Sequence, residues 1–209
     1  MFAPLEHSII KRARDKELLK INLINFRDYS KDKHRRVDDY AFGGGAGLLL
    51  MPQPIADCID AIDPNHRAWR VFLSPAAPVL TQNKVRELAK HDRLLLLCGH
   101  YEGVDQRVID LYMDECISIG EYILTGGEIP AMVIADAVAR NIPGVINAES
   151  LANESFNDSP PTWRGGGDSR RGGWEHPQYT RPRIFRGKSV PEVLINGNHA
   201  DIKRWKDEN

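Results

Sequence analysis

Leu94–Val108 reads LLLLCGHYEGVDQRV, and Ser118–Val145 reads SIGEYILTGGEIPAMVIADAVARNIPGV. The apolar run Leu94–Cys98 predicts a strand that breaks into Gly99-His100-Tyr101-Glu102-Gly103. A second strand-like run, Glu115–Ile119, ends in Gly120-Glu121-Tyr122-Ile123-Leu124-Thr125-Gly126-Gly127. Glu128–Arg140 then repeats apolar residues at helical spacing, with Pro130 tolerated in the first turn. Glycines supply positive-φ turns and let a backbone approach a ligand or another chain segment closely, so two such loops at strand ends read as one binding site.

Working outward, residues 5–18 alternate apolar and charged positions at helical spacing, and Lys20–Phe26 (KINLINF) reads as a strand. Charged, turn-rich Arg27–Asp39 follows. After the glycine cluster Gly43–Gly47, Leu48–Ile62 has helical periodicity. Trp69–Leu73 reads as a strand, Thr81–Lys90 and Val104–Met113 as helices, and His199–Asp207 as a short closing helix. Strands alternating with helices predict an α/β domain around a mostly parallel sheet. From Asn147 to Glu175 the composition turns to Asn, Ser, Pro, Arg and Gly, which reads as an interdomain linker. There are no internal repeats.

A chain of 209 residues with 42% hydrophobic content can bury one core and a small second domain. Its formal net charge of −1 gives no global pull toward nucleic acid, so RNA binding would rest on local basic patches or a dimer groove. Cys58, Cys98 and Cys116 are odd in number and widely spaced, which fits buried thiols in a reducing compartment rather than a disulfide framework or a CxxC metal site. No apolar stretch reaches membrane-span length, and residues 1–20 carry charges instead of a signal-peptide core, so a cytoplasmic location is expected.

The two quoted stretches closely resemble the bacterial tRNA (guanine-N1-)-methyltransferases, the TrmD-type branch of the trefoil-knotted SPOUT methyltransferases. The resemblance extends to His34-Arg35-Arg36-Val37-Asp38-Asp39, Gly43-Gly44-Gly45-Ala46-Gly47, Leu73-Ser74-Pro75, Pro177-Gln178-Tyr179-Thr180-Arg181-Pro182 and Asn196-Gly197-Asn198-His199, in the family's order. It implies a SPOUT-type, mostly parallel α/β sheet with a deep trefoil knot over residues 1–146. A linker with an Arg/Gly-rich insertion would follow over 147–176, then a shortened helical tRNA-binding domain over 177–209. It also implies a homodimer whose active site is shared between subunits.

The chain departs from the family pattern in four places. It starts where the family has a preceding first strand, which predicts an exposed sheet edge unless something covers it. It stops inside what is normally a longer C-terminal domain, its linker is longer, and Ala76-Ala77 stand where the family tends to have Gln-Gly.

Methylating a protonated ring nitrogen requires a methyl donor held in line, a base for the proton, and positive charge near the carbonyl oxygen. The resemblance assigns S-adenosylmethionine to Leu73, Ser74, Pro75, Gly99, Tyr101, Ile119, Gly120, Glu121, Tyr122, Ile123, Leu124, Gly126 and Gly127. Read without it, these glycines only shape turns. Arg140 is implied as the catalytic arginine; Asp136, four residues earlier, offers it an ordinary helix-face ion pair instead. The linker carboxylate implied as base falls on Glu154, where the family has aspartate, with Asp158 as the alternative and solvated linker acids as the plain reading.

Asp38 resembles the region contacting the target guanosine, and a carboxylate there can accept hydrogen bonds from guanine's nitrogens. Glu102 is a structural or guanine-facing partner in the cofactor loop, and Tyr179 and Arg181 fall in the family's substrate-binding block. The glycine cluster lacks a following Lys-Ser/Thr, so it is no Walker loop. Basic patches lie at Lys31, Lys33, His34, Arg35 and Arg36, and at Arg164, Arg170, Arg171, Arg181, Arg183 and Arg186. Trp163 and Trp174 stand beside the second group, an arrangement suited to single-stranded loops or equally to a solvated insertion. No residue spacing reads as a dedicated metal site, while the family's link with magnesium leaves room for a water-coordinated ion.

The expected function is methyl transfer from S-adenosylmethionine to N1 of the guanosine 3′ of the anticodon in tRNA. The rivals are a knotted ribose 2′-O-methyltransferase and a catalytically impaired relative that binds only cofactor or RNA.

Overall fold

A computed structural model describes residues 1–147 and 177–208. The chain divides into two compact units, Met1–Asn147 and Ala148–Asn209. The sheet of the first unit has three parallel strands, β3 (Trp69–Leu73), β4 (Leu94–Leu97) and β5 (Glu115–Ile117), in the order β4-β3-β5. Val71 pairs with Leu96 on one side and Glu115 on the other. Each return is made by a helix. Helix α3 (Gln82–Leu88) is capped by Thr81, whose Oγ1 accepts from the Lys84 N–H; helix α4 (Gln106–Tyr112) is capped by Asp105, whose carboxylate accepts from the Arg107 N–H.

Strand alternation sorts the core. Val71, Leu73 and Ile117 face one side, where Val85 and Leu88 of α3 and Ala131, Ile134 and Val138 of α5 (Glu128–Arg140) cover them. Phe72 and Leu97 face the other side, against Val108 of α4 and Ile55 and Ile59 of α2 (Pro52–Ile62). This two-sided cover is what a parallel sheet requires. Helix α5 is buried twice over, because Ala139, Met132 and Ala135 meet Leu5 and Ile10 of the N-terminal segment, where α1 spans Ser8–Asp15. Truncating a fully buried aliphatic such as Ile134 to alanine would cost about 2–5 kcal/mol.

Two predicted elements differ. Lys20–Phe26 is not a strand: among the described residues it has no ladder partner, and Phe26 opens a 3-10 turn, Phe26–Tyr29. Ile21 packs against the N-terminal cluster while Leu23 and Ile24 face outward. A strand exists only in a ladder. The helix expected over Leu48–Ile62 begins at Pro52. Leu49–Leu50 (β2) instead pairs antiparallel with Asp38–Asp39 (β1), and Pro52 and Pro54 sit in the first helical turn, where their missing N–H groups cost nothing.

At the end of the sheet where the strands begin, Asp63 and Arg70 form a buried ion pair, 2.9 Å from Nε to Oδ2, with side chains 1% and 7% exposed. The Arg67 and Ala68 N–H groups also donate to that carboxylate, and Arg70 Nη2 donates to the Asp63 carbonyl at 2.8 Å. Burial pushes the Asp63 carboxyl up, but these hydrogen bonds outweigh it and hold the group below its ordinary range.

In the second unit, a hairpin of β6 (Ile184–Phe185) and β7 (Lys188–Ser189) turns at Arg186-Gly187, both with positive φ. Helix α6 (His199–Glu208) follows a 3-10 turn at Glu192–Leu194. No helix among the described residues is long and apolar enough to cross a membrane.

Candidate functional site

The three parallel strands end on one side, and their following loops converge there, as ligand loops do in open α/β sheets. Backbone hydrogen bonds join the first and third loops: Ser74 N to Ile117 O at 3.1 Å, Ser118 N to Pro78 O at 2.9 Å, and Leu80 N to Ser118 O at 2.8 Å. The second and third loops are joined by Gly127 N to Gly99 O at 2.8 Å. A Cβ on Gly127 would lie 2.6 Å from the Cys98 Cα, so only glycine lets the two chain segments pass. The structure therefore brings Leu73, Ser74, Pro75, Gly99, Tyr101, Ile119, Gly120, Glu121, Tyr122, Ile123, Leu124, Gly126 and Gly127 into one set of linked loops.

Local chemistry shapes the third loop. Ser118, 3% exposed, donates its hydroxyl to Gly120 O at 2.8 Å and accepts from Gly120 N. The Tyr122 ring occupies the space a Cβ on Gly120 would need, and its hydroxyl donates to Ile119 O. Tyr101, Tyr122 and Ile123 stay exposed on these loops, Ile123 at 80%. Turns with open backbone groups and apolar side chains beside them suit a purine ring held by main-chain contacts and apolar sandwiching.

A second cluster adjoins the middle loop. Asp38 pairs with Leu50, and Leu50 bridges to Val104. Glu102 N donates to Leu48 O, and the Glu102 side chain lies over Gly47, where a Cβ would come within 2.6 Å of its Cγ. The glycine cluster and Asp38 thus belong to one ribbon, which Glu102 ties to the Gly99–Gly103 loop. Gly43, Gly44 and Gly45 have positive φ and open space around them.

Arg140 is half-buried at the C-terminal end of α5. Glu154 and Asp158 lie outside the described residues, as do Trp163, Arg164, Arg170, Arg171 and Trp174. Tyr179 and Arg181 belong to the second unit, and both are exposed; the Tyr179 ring stands 6.2 Å from that of Trp205. In the first basic patch, Lys31 pairs with Asp57, Arg35 with Asp28 and Arg36 with Asp32. These are exposed pairs of small individual energy, which a phosphate can displace. Among the described residues, no three His, Cys, Asp or Glu side chains converge as a metal cage.

Sequence reading passed over His100 and Glu128. His100 Nε2 and Glu128 Oε1 lie 2.5 Å apart and tie the second loop to the start of α5. The signal available was only that each stands beside a predicted cofactor glycine. Ser118 was read only as part of the strand run Glu115–Ile119, although Ser-x-Gly is a turn in which a hydroxyl can bond the backbone two residues on. Burial, helped by the negative charge of Glu128, pushes the Cys98 thiol up to about 12.

The family described as tRNA (Guanine-1)-methyltransferase TrmD matches residues 1–209. A tRNA (guanine-N(1)-)-methyltransferase of Caldanaerobacter subterraneus subsp. tengcongensis is 52% identical over 203 residues, covering 97% of this chain and 78% of the relative. The proteins of the same description from Alkaliphilus oremlandii and Clostridium botulinum are 49% and 47% identical, over 97% and 99% of this chain and 80% of each relative. With a full-length family match and relatives near half identity, this chain belongs to the TrmD family of tRNA (guanine-1)-methyltransferases.

Proposed function

We propose that this chain methylates N1 of the guanosine immediately 3′ of the anticodon in tRNA, with S-adenosylmethionine held in the three linked loops. Methylation of guanine N1 in tRNA is the activity of its family, whose members take the methyl group from S-adenosylmethionine. The observation that supports the site assignment is the close passage of Gly127 against Cys98 and Gly99, which joins the second and third loops, while the Ser118 backbone bonds join the first to the third. The fold this reading assigns is the knotted SPOUT topology, and the working unit is a homodimer in which the linker of one subunit completes the site of the other.

Bound S-adenosylmethionine supplies an electrophilic methyl group. Gly99, Gly120, Gly126 and Gly127 would present backbone groups to its adenine, while Tyr101, Tyr122, Ile123 and Leu124 would exclude water from it. Asp38 accepts hydrogen bonds from the guanine's nitrogens, and Glu102 holds the glycine cluster in place beside it. Glu154 takes the N1 proton as the base. Arg140 offsets the negative charge that builds on the guanine carbonyl oxygen. Tyr179, Arg181 and the basic patches contact the RNA. Among the described residues no cluster of His, Cys, Asp or Glu would cage an ion, so a magnesium ion would be held through water.

The deciding experiment is methyl transfer to a tRNA transcript bearing guanosine 3′ of the anticodon, with mapping of the modified atom. Methyl on N1 of that guanine is the expected product. Methyl on a ribose hydroxyl, or cofactor binding without transfer, would assign the chain to one of the rival readings.

A further inference from the structure

We propose that His100 and Glu128 form a clasp that positions the cofactor loops, a role that rests on the assignment of those loops to S-adenosylmethionine. The two side chains come from the second loop and the first turn of α5, 28 residues apart in sequence, and meet at 2.5 Å. A carboxylate only accepts, so the imidazole Nε2 carries the hydrogen. His100 is 40% exposed at its side chain and Glu128 19%, so the contact lies at the rim of the core, sheltered but not sealed.

The clasp closes around Gly126. A Cβ there would come within 2.6 Å of both His100 Cε1 and Glu128 Oε2, so the pair fills the space above the glycine. Directly beneath, Gly127 N donates to Gly99 O at 2.8 Å. One main-chain bond and one side-chain bond therefore fasten the same two segments, and the residues on either side of His100, Gly99 and Tyr101, are cofactor residues in the proposed site. His100 and Glu128 are aimed at each other rather than outward. Their effect on the reaction passes through loop geometry, which makes them positioning residues.

The test measures S-adenosylmethionine binding by calorimetry, with steady-state kinetics, for the parent, His100→Ala, Glu128→Ala, the double variant, His100→Gln and Gly120→Val. Loss of one charge-assisted hydrogen bond should raise the cofactor Kd and KM on the order of tenfold in each single alanine variant. The KM for tRNA and kcat should stay close to the parent values. The double variant should be no worse than either single one, because both remove the same bond. His100→Gln, which keeps a donor near Nε2, should recover most of the affinity. Additive losses, or a glutamine variant as weak as the alanine one, would overturn the clasp while leaving the loop assignment standing. Unchanged affinity in Gly120→Val would remove the loop assignment and the clasp with it. Should His100→Ala fail to fold, Glu128→Ala against His100→Gln must still differ by that factor, or the clasp is wrong.

Discussion

Gly127 donates its N–H to the Gly99 carbonyl at 2.8 Å while the site of its absent Cβ points at the Cys98 Cα, 2.6 Å away. Gly127 has φ −81°, which any L residue adopts. Its requirement for glycine is therefore one of space. Gly43–Gly45 are the reverse case, with positive φ and nothing within 4 Å.

Gly127→Ala should destabilise the protein by about 1–3 kcal/mol, since the clashing atoms are backbone and cannot rotate away. It should also weaken S-adenosylmethionine binding. Urea unfolding with calorimetry on the same preparation checks both, and an unchanged midpoint would mean that the segments separate at no cost.

Asp63→Asn should cost about 3–5 kcal/mol at neutral pH, because Arg70 would be left as a buried charge without its counter-charge. The Asp63 carboxyl is held below its ordinary value of 3.8 in the folded state. Its contribution is therefore fully present above the unfolded value and is lost as pH falls through the lower, folded one. The gap between parent and variant in urea midpoint should be constant above roughly pH 5 and narrow below about pH 4. A gap that stays constant at pH 3 and below would show that the ionised carboxylate is not the source of the effect.

The linker base is tested by Glu154→Gln. Methylation in a single turnover should fall by on the order of a hundredfold or more, with cofactor affinity nearly intact, while Glu154→Asp retains substantial activity. Normal transfer in Glu154→Gln with a dead Asp158→Asn would move the base to Asp158.

The thiols give a fourth check. Cys98 is pushed up to about 12 and Cys58 to about 11, each chiefly by burial, and Cys116 is raised for the same reason. At pH 8 the native protein should react with a disulfide reagent far more slowly than the unfolded chain, in which thiols ionise near pH 8.5. Fast modification of Cys98 in the folded protein would contradict its place in the core.

Much of this architecture was legible in the chain. Trp69–Leu73 is buried on both faces and Leu94–Leu97 is a continuous apolar run at the sheet edge, and Thr81 and Asp105 mark helix starts by their capping chemistry. The loops of the candidate site were legible because their glycines and apolar residues are contiguous. Lys20–Phe26 misled because pairing is a property of two segments and only one is written in the local pattern. Leu49–Leu50 was hidden by a helical periodicity that Pro52 and Pro54 cut short. The hairpin at Arg186-Gly187 was not read from the sequence, because Arg-Gly between Phe185 and Lys188 is a weaker turn signal than Asn-Gly. His100 and Glu128 could not be paired from sequence, since nothing local says which of many carboxylates an imidazole will meet.

Helix α5 lies between two apolar layers, with Ile134 against the sheet and Ala139 against the N-terminal segment. Its first turn carries Glu128 and its last residue is Arg140, about 18 Å further along at 1.5 Å per residue. Packing on both flanks holds these two residues at that separation. Under the proposed assignments, the loop beside Glu128 and the arginine that meets the guanine take their spacing from one helix, so no flexible segment has to set it.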